Sequence, residues 1–135
     1  MDTETKYILH YFPLYGRAEP QRLLLSHANV PYVNNLITFA DWPALKETMP
    51  GGCMPCLEFP DGKKMGETKD IMKFLGKTHG YYPKDEETDK KSDDLIDIFY
   101  ELYPATRDIY SCSDADLKAS RAEEFFTNIL PTFMA

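Results

Sequence analysis

Several groups of side chains in this 135-residue chain have types and spacings that chemistry could use. Cys53-Met54-Pro55-Cys56 has the spacing of a thiol–disulfide centre. Such a pair works where it precedes a helix whose N-terminus lowers the thiol pKa, and here a strand pattern follows it instead. Trp42 and Lys46 are four apart, hence on one side of a helical turn. An indole N–H and an ammonium suit a carboxylate, although a packed tryptophan beside a solvated lysine is the plain alternative. Glu67-Thr68 opens an amphipathic run. Helix N-terminal N–H groups and a hydroxyl suit an anion there, and simple capping by Thr68 is compatible with that. Tyr11 ends a strand pattern, and a phenol hydroxyl can stabilise a thiolate by donating a hydrogen bond to it. On the pattern alone, Tyr11 reads as a strand-end core residue and Arg17 as a solvated cation at a helix start. The three cysteines, Cys53, Cys56 and Cys112, exclude a four-cysteine zinc site, and His10, His27 and His79 lack ligand spacing. No metal is expected.

The elements that must position these groups are spelled out in order. Residues 6–12 read as a strand, with Tyr7, Leu9 and Tyr11 on one face and Ile8, His10 and Phe12 on the other. Residues 17–29 read as a helix with Leu24 and Ala28 on one face, starting just before Pro20. Residues 32–38 form a second strand, and residues 41–46 a short helical turn capped by Asp41 with Pro43 early in it. Pro50-Gly51-Gly52 is a turn, and residues 56–59 and 63–66 form a hairpin around Asp61-Gly62. Residues 68–79 are a helix with Ile71, Met72 and Leu75 as its apolar stripe and Gly80 as its stop. The order is βαβ, then ββα.

Residues 81–83 and the charged stretch 84–91 read as a linker. Beyond it the texture is all-α. Residues 93–103 carry Leu95, Ile96, Phe99, Leu102 and Tyr103 as candidate core, and Pro104 should end or kink that helix. Residues 115–134 form a second helix with Leu117, Phe125, Phe126, Ile129 and Leu130 as candidate core, bent at Pro131. Length alone suggests one domain, but the pattern gives two: an α/β domain over 1–82 and an incomplete all-α domain over 85–135.

Hydrophobic residues are 43% and charged residues 27% of the chain, enough for a packed core. A net charge of −7 without a basic cluster excludes nucleic acid and anionic membrane as natural partners. No run approaches the ~18 apolar residues of a membrane span. Met1-Asp2-Thr3-Glu4 carries two acids and no apolar core, so it is not read as a signal peptide. An odd, small cysteine count argues against a secreted disulfide framework. The expectation is a cytoplasmic protein.

Tyr11-Phe12-Pro13-Leu14-Tyr15-Gly16-Arg17-Ala18-Glu19 resembles the first strand-to-helix signature of cytosolic glutathione transferases, the sigma class in particular. Asp41-Trp42-Pro43-Ala44-Leu45-Lys46, Met54-Pro55, and Glu67-Thr68 followed by Ile71-Met72-Lys73-Phe74-Leu75 fall in the matching order and spacing. Residues 121–133, with Ile129-Leu130-Pro131, are similar to the sigma class and its cephalopod lens S-crystallin relatives. One such motif is weak; four in register are specific. The resemblance implies a thioredoxin-like domain followed by a helical bundle. Family members run well past the second bundle helix, so it also implies a C-terminally shortened chain.

The same resemblance assigns roles. Tyr11 would hold the glutathione sulfur as thiolate, supported by Arg17. A free thiol of pKa ~8.5 is only ~3% thiolate at pH 7; a depression of about two units raises that to ~75% and corresponds to ~2.7 kcal/mol. Trp42 and Lys46 would bind the glycine carboxylate. Met54-Pro55 would be a cis bond that turns the Met54 backbone toward the extended peptide. Cys53 stands where relatives often carry Gln or a small residue. Thr68 would meet the γ-glutamyl carboxylate, while Glu67 suits the ligand's amino group. Asp93 matches an acid lent across a dimer, with Asp94 and Asp97 close by. The implied activity is conjugation of glutathione, the co-substrate, to small hydrophobic electrophiles in a homodimer joined through the first bundle helix and the 68–79 helix. The alternatives are a prostaglandin-type endoperoxide isomerase, a non-catalytic, crystallin-like relative and, third, a Cys-x-x-Cys oxidoreductase.

Overall fold

The computed structural model describes residues 6–134, so the reading of Met1-Asp2-Thr3-Glu4 lies outside the described residues. The chain divides into two compact units, Met1–Tyr82 and Pro83–Ala135. The first contains β1 (Tyr7–Tyr11), a 3-10 turn (Gly16–Ala18), α1 (Glu19–His27), β2 (Tyr32–Leu36), α2 (Trp42–Leu45), β3 (Cys56–Glu58), β4 (Lys64–Met65) and α3 (Thr68–His79). Its sheet runs β2-β1-β3-β4, with β1 parallel to β2 and antiparallel to β3, and β3 antiparallel to β4. This is a thioredoxin-like unit, and a helical unit follows it.

The two faces of β1 do different work. Tyr7, Leu9 and Tyr11 are buried in one cluster with Leu25 of α1, Leu57 of β3, and Ile71 and Leu75 of α3. Edge-to-face contacts of Tyr7 with Phe59 and Phe74, at 5.9 and 6.2 Å, close that core at one end. On the other face, His10 is buried in a polar row: the Asn35 amide donates to Nδ1 at 2.8 Å and Nε2 lies 2.9 Å from the Glu58 carboxylate. Both ring nitrogens of His10 are therefore engaged within the sheet.

Helix limits follow local chemistry. Pro20 stands in the first turn of α1, where its missing N–H costs nothing. Gly80, in the left-handed conformation, ends α3. On α1, Leu24 and Ala28 pack half-buried against the core, beside the fully buried Gln21 and Leu25. Two expectations in this unit need correction. Asp41 stands at the N-cap of α2, but its carboxylate accepts the Thr38 hydroxyl at 2.6 Å instead of a helix N–H. The N-cap of α3 is Glu67, so Thr68 is already helical and is not the cap.

In the second unit, α4 (Glu86–Tyr110) takes in residues expected to be linker. Asp85 caps it by accepting the Thr88 N–H at 2.9 Å, and Glu87 pairs with Lys91 one turn on. The charge run thus forms the largely exposed first turns of a helix. Pro104 does not end α4; the helix spans the one missing N–H because the turns on both sides remain bonded. After α5 (Ala115–Glu124), a π turn (Phe125–Ile129) precedes α6 (Leu130–Met134). The Leu130 N–H reaches back to the Phe125 carbonyl. That wider turn is the irregularity expected at Pro131, displaced just ahead of the ring that clashes with the preceding turn. Of the candidate core here, Phe125 is buried, but Leu95, Phe99, Leu117 and Phe126 are exposed. Periodicity marks the apolar side of a helix and says nothing of what covers it.

Leu9→Ala is expected to cost about 2–5 kcal/mol in urea unfolding, whereas Leu95→Ala, 68% exposed, should stay within about 0.5 kcal/mol. Equal losses would contradict the burial pattern.

Candidate functional site

The site is built where β1 ends. The Tyr11 ring is buried, 5% exposed, and packs edge-to-face on Phe12 at 5.6 Å. The chain then turns sharply, and the backbone N–H of Arg17 donates to the Tyr11 phenol oxygen at 3.1 Å. Gly16 makes that approach possible. Its φ is +45°, and a β-carbon there would stand 2.7 Å from both the Tyr11 hydroxyl and Leu14 Cδ1. The sequence reading missed Gln21, whose side chain is fully buried. With its amide oriented to donate, it bonds the carbonyls of Arg17 and Ala18 at 2.7 and 3.0 Å. A polar residue inside an otherwise apolar helical stripe was the only signal for it.

The remaining residues of the first unit converge on this strand end. The β1–β3 register pairs His10 with Cys56, so the next step of that register sets Pro55 opposite Tyr11. Met54-Pro55 is a cis bond, and Met54 is buried. Lys46 donates its backbone N–H to the Trp42 carbonyl, which places both side chains on one side of the α2 turn. The aliphatic stem of Lys46 runs along Gly52, 3.2 Å from where a β-carbon would stand, and so lies beside the segment leading to Met54. Trp42 is half-buried and meets Phe12 edge-to-face at 5.7 Å, tying α2 to the end of β1. Gly66 sits against Pro50, 3.1 Å from Cβ to Cβ if it had one, which brings the start of α3 to the same loop. Glu67, exposed, has φ +61° and ψ +118°, a conformation that costs a non-glycine residue about 1–3 kcal/mol. Its side chain does not cap α3, while Thr68 is buried in the first turn.

The structure therefore gathers Tyr11, the Arg17 backbone, Trp42, Lys46, Met54, Pro55, Glu67 and Thr68 in one unit. Asp93 lies on α4 in the second unit, with Asp94 and Asp97, and is not part of that convergence. Cys53 is exposed, but Cys56 is fully buried in β3, and burial pushes its thiol up to about 11. The second sulfur of the Cys-x-x-Cys pair stays protonated near neutrality, and no helix N-terminus follows it. Among the described residues, no three His, Cys, Asp or Glu side chains cluster as a metal site would need.

Residues 18–78 match the family described as glutathione S-transferase, N-terminal domain. The chain is 36% identical to S-crystallin SL18 of Nototodarus sloanii over 73% of its own length and 32% of the relative's. It superposes on the structure of prostaglandin synthase D of Nilaparvata lugens with a TM-score of 0.83 at 33% identity, covering 95% of this chain and 64% of that one. The Fasciola hepatica sigma class glutathione transferase gives 0.83 at 32% identity, over 98% and 64%. The chain thus spans about a third of that crystallin and just under two thirds of each structure.

Gly16→Ala should push the added methyl into Tyr11 and Leu14, costing about 1–3 kcal/mol in urea unfolding; an unchanged midpoint would contradict the close approach. Iodoacetamide at neutral pH should label Cys53 in the folded protein and leave Cys56 unlabelled until denaturant is added. The buried Cys56 thiol also gives stability a pH dependence. Its pKa is raised from 9.0 to about 11 on folding, so below 9 both states keep the proton. Between 9 and 11 only the unfolded chain loses it, and stability falls. Cys56→Ala should remove the part of the alkaline slope that begins near pH 9 in urea titrations, leaving the part due to Tyr7, whose pKa burial also raises.

Proposed function

We propose that this chain, whose first unit belongs to the glutathione S-transferase N-terminal domain family, binds glutathione and activates its thiol through Tyr11 for transfer to small electrophiles. The hydrogen bond from the Arg17 amide to the phenol oxygen carries this reading. It engages the oxygen as acceptor, so the hydroxyl hydrogen is directed elsewhere, as a donor. It also favours partial negative charge on that oxygen when the proton is shared with a sulfur. The thiol proton leaves to solvent, the thiolate stays held by Tyr11, and the sulfur lone pair forms the new bond to carbon as the electrophile's leaving group or double-bond electrons depart.

The tripeptide fits the convergence described above. Its glycine carboxylate takes the Lys46 ammonium and the Trp42 indole N–H. Its backbone pairs with Met54 like an added strand. The γ-glutamyl carboxylate takes Thr68 and the first turn of α3, and Glu67 takes the amino group. On this reading the strained backbone of Glu67 is retained because it presents both to the ligand. Arg17 supports Tyr11, to whose phenol oxygen its main-chain N–H donates. Asp93 is assigned to the neighbouring protomer's glutathione amine, in a homodimer formed through α4 and α3. A cytoplasmic location goes with this reading.

Two further readings have specific support. The likeness to S-crystallin SL18 favours a protein that binds glutathione without turning substrate over. The likeness to prostaglandin synthase D favours an endoperoxide as the electrophile.

With bound thiol ~75% ionised in the unsubstituted protein and ~3% without the phenol, Tyr11→Phe should cut conjugation of a chlorinated nitrobenzene roughly 25-fold at pH 7. The gap should close above pH 9, where the thiol ionises unaided, and retention on immobilised glutathione should survive. Equal rates at pH 7 in both proteins would remove Tyr11 from the mechanism. Retention without turnover in either would favour the non-catalytic reading, and sedimentation as a monomer would remove the role given to Asp93.

A further inference from the structure

We propose that Arg22 is the residue that positions Tyr11, by fastening the loop between β1 and α1 to the helix and strand on either side of it. The proposal rests on the reading of Tyr11 as the thiol-activating group. The Arg22 side chain is only 12% exposed. Its Nη1 donates to the Leu14 carbonyl at 2.9 Å, the Tyr15 carbonyl at 3.3 Å and the Glu19 carboxylate at 3.0 Å. Its Nε donates to Asn34 Oδ1 on β2 at 3.1 Å. Its guanidinium carbon lies 5.8 Å from the centroid of the Tyr11 ring. Nη2 is buried and has no oxygen or nitrogen acceptor among the described residues. The electron-rich face of Tyr11 offsets part of that cost.

The loop has little to hold it otherwise. Leu14 and Tyr15 are exposed, Gly16 has positive φ, and the loop's own main-chain bond is the tight one from Leu14 N–H to the Phe12 carbonyl at 2.7 Å. The next residue is Arg17, whose amide must reach the phenol oxygen. If residues 14 and 15 drift, that amide drifts with them. The bond that Tyr11 receives from Arg17 is a main-chain bond, which any residue but proline supplies. Its geometry therefore depends on where the loop is held, and Arg22 holds it. Nη1 shares its two N–H groups among two carbonyls and the Glu19 carboxylate while Nε, a second donor nitrogen in the same rigid plane, holds Asn34; a lysine ammonium has one nitrogen and no such second donor. The charged groups facing this cluster are Glu19 on α1 and Arg17 on the preceding turn; the neighbour on β2 is the neutral Asn34.

The test titrates Tyr11 in the full chain without glutathione, as the tyrosinate absorbance lost between each protein and its Tyr11→Phe counterpart. Arg22→Met should move that ionisation to higher pH, since the phenolate loses both a nearby cation and a well-placed amide. Arg22→Lys should recover less than half of the shift. With glutathione present, kcat at pH 7 should fall about threefold in Arg22→Met, since one pK unit at the thiol lowers its ionised fraction from ~75% to ~24%, with a smaller change in KM. A merely structural role would lower the melting temperature and leave the Tyr11 titration where it was, and that result overturns the proposal. If Arg22→Met fails to fold, Arg22→Lys decides: an upward shift supports the fork, an unchanged titration overturns it. Absence of mercaptide absorbance in the unsubstituted protein would sink the glutathione reading and leave the tyrosine titration to judge Arg22 alone.

Discussion

The main-chain hydrogen bond from Arg17 to the phenol oxygen of Tyr11 is the constraint on which the rest of the first unit depends. It closes a turn between the end of a buried strand and the start of a helix, and it leaves no room for a side chain between them. Gly16 satisfies the steric condition and the positive φ together. Burial of the ring fixes one end of the bond; the 3-10 turn, with Gln21 bonded to its carbonyls, fixes the other. A flexible loop in the same place would bring amide and hydroxyl together only part of the time, and the ordering cost would fall on every binding event.

The sheet order extends that constraint outward. Because β1 has β2 on one side and β3 on the other, the residues that extend past its end come from both directions. Antiparallel pairing with β3 brings the cis Met54-Pro55 segment to Tyr11. The Lys46 stem against Gly52 and Gly66 against Pro50 then draw α2 and the start of α3 to the same loop. At Gly52 the neighbour is the Lys46 stem, and at Gly66 it is the Pro50 ring and carbonyl, so a β-carbon at either glycine would press on the segment packed against it. The convergence is therefore a property of glycine positions and strand register as much as of the polar side chains.

Much of this was legible in the sequence. The alternation of β1, the Asp61-Gly62 hairpin, the limits of α3 and the start of α1 near Pro20 each follow from a local rule that tertiary structure did not override. The polar residues at the site were legible by type and order. Gln21 was not, because a glutamine at a helical position reads as solvent-facing until the carbonyls it serves are known. The cap of α3 was misplaced by one residue, since a positive φ at Glu67 is not something its side chain announces. In the second unit the apolar periods were legible but what covers each position was not, so Leu95 and Phe99 read as core and are exposed. Pro104, expected to end or kink its helix, does not end it, because the cost of about 3 kcal/mol of one proline is outweighed by the long, capped helix around it.

The cysteines define by contrast what kind of sulfur chemistry the unit can support. Its Cys-x-x-Cys pair brackets the cis-proline and leads into a strand, so one thiol is exposed and the other sits in the core. Strand burial removes water from Cys56 and holds its proton well into alkaline pH. A helix N-terminus would have supplied the opposite influence, but the one nearest in sequence belongs to α3 and begins at Thr68. The hydrogen-bonded hydroxyl at the end of β1 is a phenol, a group that stabilises a neighbouring negative charge and does not itself carry the reacting electron pair. On the proposed reading the nucleophilic sulfur must therefore arrive with the ligand, and the fold's contribution is the fixed donor that meets it.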